Sequence, residues 1–225
     1  MKMKKFAVVG AAICVSVTLF CGCGDVVKSL VSEGKWESGD KETQKEERDL
    51  SSFDKIKVDV GLADVSIAKG DGYHLGISRT EGYAIISEVK DNELLIHSDG
   101  DAKGIVSATL TITVPGDAVL GSVDVKVGLG DISVKEVSIE DLHIDTGNGD
   151  CDITGCELGA ADIKAAVGDV TIIKSGTTED TAFSLSADVG DIEIDGSEVE
   201  SPYKSGDGEK SIYVKASVGD ISVSQ

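Results

Sequence analysis

The 225-residue chain carries 21 Lys and Arg against 41 Asp and Glu, a formal net charge of -20. So acidic a surface repels phosphate backbones and anionic headgroups, which argues against nucleic acid as a partner and for cationic groups or divalent metals. Gly is frequent at 27, Pro scarce at 2 and aromatics only 4%; with Val, Ile and Thr in short alternating runs, the expected fold class is all-β, short strands joined at Gly-bearing turns.

Met1 to Lys5 form a positive segment, and Phe6 to Phe20 an apolar run of 15 residues, short of the roughly 18 that a membrane span needs. The run ends in Phe20-Cys21-Gly22-Cys23-Gly24, which resembles a bacterial lipobox. There a small residue, Gly22, precedes the cut, and the thiol of Cys23 accepts the diacylglyceryl group. Residues 1–22 are thus expected to be a lipoprotein signal peptide and Cys23 the lipidated N-terminus, with palmitate among its acyl chains. The protein is then expected on the extracytoplasmic face of the cell membrane, and each buried methylene contributes about 0.8 kcal/mol to its anchoring. Without the leader, 18 basic residues face 41 acidic ones.

Residues 23–52 are polar, mixed in charge and without β alternation. They read as a lipid-anchored flexible tether, with the single Trp, Trp36, inside it. Hydrophobic content of 40% with regular alternation argues for a folded domain over 53–225 in spite of the charge.

Within that domain 53–120 looks irregular, with strands expected at Ile56–Val60, Val65–Ile67, Tyr73–Ser78, Leu94–His97 and Ala108–Val114. Over 121–225 one phrase recurs: Leu129-Gly130-Asp131-Ile132-Ser133-Val134, Asn148-Gly149-Asp150-Cys151-Asp152-Ile153, Val167-Gly168-Asp169-Val170-Thr171-Ile172, Val189-Gly190-Asp191-Ile192-Glu193-Ile194 and Val218-Gly219-Asp220-Ile221-Ser222-Val223. Leu62-Ala63-Asp64-Val65-Ser66-Ile67 is an earlier copy. The Asp residues from 131 onward are spaced by 19, 19, 22 and 29, and self-similarity near 20 residues with β alternation predicts the stacked coils of a β-solenoid-like fold. Each coil has two strands around one Gly-Asp corner. Ile132, Cys151, Val170, Ile192 and Ile221 should form one inward ladder, and the longer spacings place loops at Thr177–Ala182 and Gly196–Lys210. Asn148 and Cys151 stand where other copies are apolar, so their coil is expected to pack differently.

The order of these features resembles the putative-adhesin family of bacterial envelope domains. The similar residues are Phe53-Asp54-Lys55-Ile56-Lys57-Val58, Asp64-Val65-Ser66-Ile67, Leu94-Leu95-Ile96, Thr111-Ile112-Thr113-Val114-Pro115 and the Gly-Asp-Ile copies. The resemblance implies a β-solenoid-like fold on exported or membrane-linked proteins, with roles in adhesion or envelope-stress signalling. It implies no catalytic residues.

Asp64, Asp131, Asp150, Asp169, Asp191 and Asp220 are the candidate site residues. As repeat corners, their carboxylates cap backbone amides where Gly allows the bend. The alternative is a calcium ladder, since stacked carboxylates about 5 Å apart repel; the sequence is unlike the nonapeptide calcium repeat. Glycan cleavage by paired carboxylates is a second alternative, but residues 121–225 hold 22 acids, 7 Lys and no Arg. His74, His97 and His143 show no ligand spacing, and no nucleophile-elbow, phosphate-loop or zinc-protease motif is present. Cys151 and Cys156 should face the core as buried thiols, with a disulfide as the alternative. No cofactor, no metal and no catalytic residue is expected. The leading reading is a non-enzymatic cell-surface module that meets an unknown protein or glycan partner.

Overall fold

The computed structural model describes residues 42–99, 106–176, 180–206 and 208–225. Gly22, Cys23 and Trp36 lie outside the described residues. The strands lie in two sheets, and the inward side chains of both make one core.

Among the described residues, seven strands of one sheet each have a continuation in the other, which gives seven coils. The first sheet takes β6 (Glu93–Asp99), β2 (Lys55–Leu62), β8 (Val119–Leu129), β10 (Ser138–Asn148), the latter part of β11 (Cys151–Val167), β17 (Lys210–Val218) and β13 (Thr181–Val189), in that spatial order and all parallel. The second sheet takes their continuations in the same order: β7 (Ala108–Pro115), β3 (Asp64–Gly70), β9 (Ile132–Lys135), the start of β11, β12 (Val170–Lys174), β18 (Ile221–Ser224) and β14 (Ile192–Ile194).

Strict alternation drives this arrangement. In β2 the pattern KIKVDVGL buries Ile56, Val58 and Val60 and exposes the residues between them. The same parity in β8 and β10 brings Val123, Val125 and Val127 against Leu142, Ile144 and Thr146. Ile132, Cys151, Val170, Ile221 and Ile192 form one fully buried ladder in register. Burying each large aliphatic contributes roughly 1.5–3 kcal/mol. Cys151 therefore packs as its neighbours do, contrary to the expectation that its coil would differ.

The stacking order departs from sequence order at both ends. The coil β2–β3 lies between β6–β7 and β8–β9, and the C-terminal coil β17–β18 lies between β11–β12 and β13–β14. The corners consequently run Asp64, Asp131, Asp150, Asp169, Asp220, Asp191, not in the order of the chain. The half read as irregular contributes two regular coils.

Both ends of the stack are covered by antiparallel strands, which shields open sheet edges. At one end β4 (His74–Thr80) pairs with β7, β1 (Thr43–Asp49) with β4, and β5 (Ala84–Lys90) with β6. Arg48 of β1 donates to the carbonyl and the hydroxyl of Ser87 in β5, joining the edges of the two sheets. At the other end β15 (Ser197–Val199) and β16 (Tyr203–Ser205) pair with β14 and β13. There the Ser201 hydroxyl accepts from the Ala187 N–H at 3.0 Å and donates to its carbonyl at 2.8 Å.

Two expectations are corrected here. Residues 43–49 are a paired strand, so the flexible tether read over 23–52 does not extend through them. The segment expected as a loop over 196–210 contains β15 and β16, and Thr181 and Ala182 begin β13; residues 177–179 lie outside the described residues.

Candidate interaction surface

The corners are built from three hydrogen bonds per step. The Gly N–H donates to the carbonyl of the residue before Gly in the next coil, as Gly149 does to Val167 at 3.0 Å. The N–H after Asp donates to the next Asp carbonyl, as Cys151 does to Asp169 at 2.9 Å. That leaves the Asp N–H itself without a carbonyl partner, and the side chain of the neighbouring Asp supplies one. Asp64 Oδ1 accepts from Asp131 N–H at 3.1 Å, Asp131 from Asp150 at 2.9 Å, and Asp150 from Asp169 at 2.9 Å. Asp169 accepts from Asp220, and Asp220 from Asp191, each at 2.8 Å.

The glycines are required twice over. Gly168 has φ +139, and a Cβ there would stand 2.1 Å from the Gly149 carbonyl oxygen. Gly219 has φ +144, with the Gly168 oxygen 2.0 Å from its Cβ position. Only a residue without a side chain lets successive corners stack this closely.

The six exposed Asp residues form one acidic edge, and in all but Asp191, the last of the row, one carboxylate oxygen accepts a neighbour's amide. Like charges at this spacing repel by roughly 1 kcal/mol in water, and the amide bonds offset that. Among the described residues no group of three or more His, Cys, Asp or Glu is placed to hold a metal ion.

Beside this edge, the outward face of the second sheet carries a lane in register: Thr111, Ser66, Ser133, Asp152, Thr171, Ser222 and Glu193. The outward face of the first sheet differs. Lys57, Asp124, His143 and Asp162 form one row, and Asp59, Lys126, Asp145 and Lys164 the next. Asp and Lys alternate along the second row, and Lys57 faces Asp124 in the first, a favourable cross-strand pattern. Lys164 Nζ lies 3.1 Å and His143 Nδ1 3.6 Å from Asp162 Oδ2. These rows set three lysines among four aspartates, whereas the corners and the neighbouring lane have little compensating positive charge.

The histidines are not brought together: His74 lies 3.1 Å from Asp49, His143 sits beside Asp162, and His97 is exposed on β6. Cys151 and Cys156 are free and buried. Burial, reinforced by Asp152 and Asp150, pushes the Cys151 thiol up to about 12, and burial also raises Cys156. A charge site the sequence did not suggest surrounds Lys174. This buried lysine donates to Thr181 Oγ1 at 2.6 Å and lies 3.4 Å from Asp180, which Lys210 also approaches at 3.4 Å. At Asp180 a desolvation effect that would raise the carboxyl is outweighed by Lys210, Lys174 and Thr181, which hold it below the usual range.

Residues 53–225 match the model of the Toastrack DUF4097 family. The chain belongs to that family. A putative cell adhesion protein from Clostridium sporogenes superposes on this Toastrack chain with a TM-score of 0.60 at 18% identity, covering 82% of this chain and 100% of the other, and so shares its fold. A putative adhesin from Bacteroides fragilis matches at 15% identity with a TM-score of 0.37, covering 81% of this chain and 97% of its own. A putative lipid binding protein from Parabacteroides distasonis matches at 13% identity with a TM-score of 0.31, covering 82% of this chain and 98% of its own. No curated protein matches the Toastrack sequence.

Proposed function

We propose that this chain is a non-enzymatic, adhesin-like interaction module, held on the extracytoplasmic face of the cell membrane by a lipid on Cys23. The carrying observation is the asymmetry of its two outward faces. One intersperses lysines among its carboxylates. The other presents a hydroxyl and carboxylate lane beside six corner carboxylates, repeating every ~4.8 Å along the stack. Such a surface suits an elongated partner with positive charge or many hydroxyls, a protein or a glycan. Five of the corner acids act as backbone caps, and the cell-adhesion name of the Clostridium sporogenes fold relative agrees with a binding role.

The test is retention of the purified chain on a panel of cell-wall polymers and exported proteins, scored for both binding and product formation. Binding should weaken as salt rises, since exposed charges are screened beyond about 8 Å at physiological ionic strength. Asp152→Lys with Glu193→Lys should weaken retention while the protein stays folded. Turnover of any polymer that is lost on replacing one Asp would overturn the reading.

A further inference from the structure

One set of residues is left over by both the core and the lane. The residue before each Gly-Asp corner is Leu129, Val167, Val218 and Val189, with 49%, 46%, 47% and 63% of its surface exposed. These four, with half-buried Leu62 and with Asn148, align across six neighbouring coils. The core ends at Val127 and resumes at Ile132, so an aliphatic side chain at 129 is not needed to fill it. Isolated exposed aliphatics are ordinary; four in register along one edge, extended by half-buried Leu62 and interrupted only at Asn148, mark an interaction surface.

We propose that this ladder is a docking track for a basic amphipathic helix running along the stack. This rests on the reading of the chain as a binding module. Neighbouring coils repeat every ~4.8 Å, and an α-helix returns the same face every 5.4 Å. Over the roughly 24 Å from the first to the last corner, about 16 helical residues drift by some 3 Å, within the reach of a side chain. An extended guest returns the same face only every ~6.7 Å and loses register within two steps.

The flanks fit the same guest. On one side stand the carboxylates of Asp131, Asp150, Asp169, Asp220 and Asp191, placed for Lys or Arg beside the apolar seam. On the other, Gly61, Gly128, Gly147 and Ala166 of the first four coils offer no side chain beyond a methyl group, which lets a helix approach the backbone, and Ser217 and Asp188 continue the line with polar groups. A track one side chain wide falls short of the ~800 Å² per partner of a standard interface, and a second copy would bring two acidic edges together. Anionic membrane is repelled by the same edge.

The probe is a fluorescein-labelled 18-residue Leu/Lys peptide with Leu at helical i, i+3, i+4 and i+7 positions, with a scrambled peptide of equal composition as control. Anisotropy with the 225-residue chain should show the patterned peptide binding at least tenfold more tightly than the scrambled one, with a gain of helical circular dichroism. Val167→Asn with Val218→Asn should weaken binding at least tenfold and leave thermal unfolding nearly unchanged, since Asn148 already occupies this ladder in a folded coil. Equal binding of both peptides, or no effect of the two Asn substitutions, overturns the proposal. So does a dimer that those substitutions dissociate, or flotation with neutral phosphatidylcholine vesicles that they abolish. Failure of the peptide with retention on the polymer panel intact defeats the helix alone; failure of both defeats the module.

Discussion

Asp169 accepts the backbone N–H of Asp220 at 2.8 Å across 51 residues of sequence. The bond shows what the corner carboxylates do and which coil is the neighbour. Asp169→Ala removes the acceptor and should lower stability by about 1–2 kcal/mol. Asp169→Asn keeps a side-chain oxygen and removes a charge from a repelling row, so it should lie within about 0.5 kcal/mol of the parent at low salt. Urea unfolding of both variants decides. Equal losses would mean that the charge, not the cap, matters.

Gly168→Ala places a Cβ 2.1 Å from the Gly149 oxygen at φ +139. The corner cannot accommodate it without moving a neighbouring coil, and the expected loss is at least about 2 kcal/mol. Thermal unfolding that shifts by less than a degree would contradict the stacking described for this corner.

Removing residues 207–225 deletes an internal coil. Without β18, Val170 and Ile192 lose the Ile221 that each pairs with, and Ala165 and Ala187 likewise lose Ala216. The truncated chain should lose cooperative unfolding and expose its core to a hydrophobic dye. A sharp, native-like transition would refute the inserted position of that coil.

The raised Cys151 thiol makes a pH prediction. The folded state keeps its proton up to about pH 12, whereas the unfolded thiol ionises near its ordinary value of 9.0. This stabilisation is complete below pH 9 and falls through that window by up to about 1.4 kcal/mol per pH unit. Cys151→Val, which copies Val170 in the same ladder, should flatten the alkaline decline measured by urea unfolding between pH 8.5 and 10.5. An unchanged slope would assign the decline to other groups.

Cys23→Ala should abolish incorporation of labelled palmitate and block processing of the leader. Labelling that persists in this variant and vanishes in Cys21→Ala would move the lipid to Cys21.

The inward ladder was legible because alternation is strict and a corner is a local signal: Ile132, Cys151 and Val170 each follow an Asp. The stacking order was not legible, because parallel coils join through backbone groups and a Gly-Asp corner fits beside any other. Nothing local in Val218-Gly219-Asp220 says that its neighbours are Asp169 and Asp191. Strand β1, TQKEERD, escaped notice because it is exposed along nearly its whole length; its pairing with β4 is mostly main chain, and its side-chain contacts, Arg48 with Ser87 and Asp49 with His74, reach residues 39 and 25 positions away. Val167 and Val218 read as core by composition, but they sit just past the last inward position, where parity breaks at the corner. Asn148 thus departs from its counterparts without disturbing the packing.

The inserted C-terminal coil also bears on the order in which the domain is built. Chains emerge N-terminal end first at roughly 5–20 residues per second. The β13–β14 coil is therefore synthesised before the coil that separates it from β12. Until the last residues arrive, it has β15 and β16 on one side but no neighbouring coil on the other, and that open edge must wait or pair provisionally. Completion is then an intercalation, not an addition at a growing tip, and the far end of the domain becomes native only once the chain is whole.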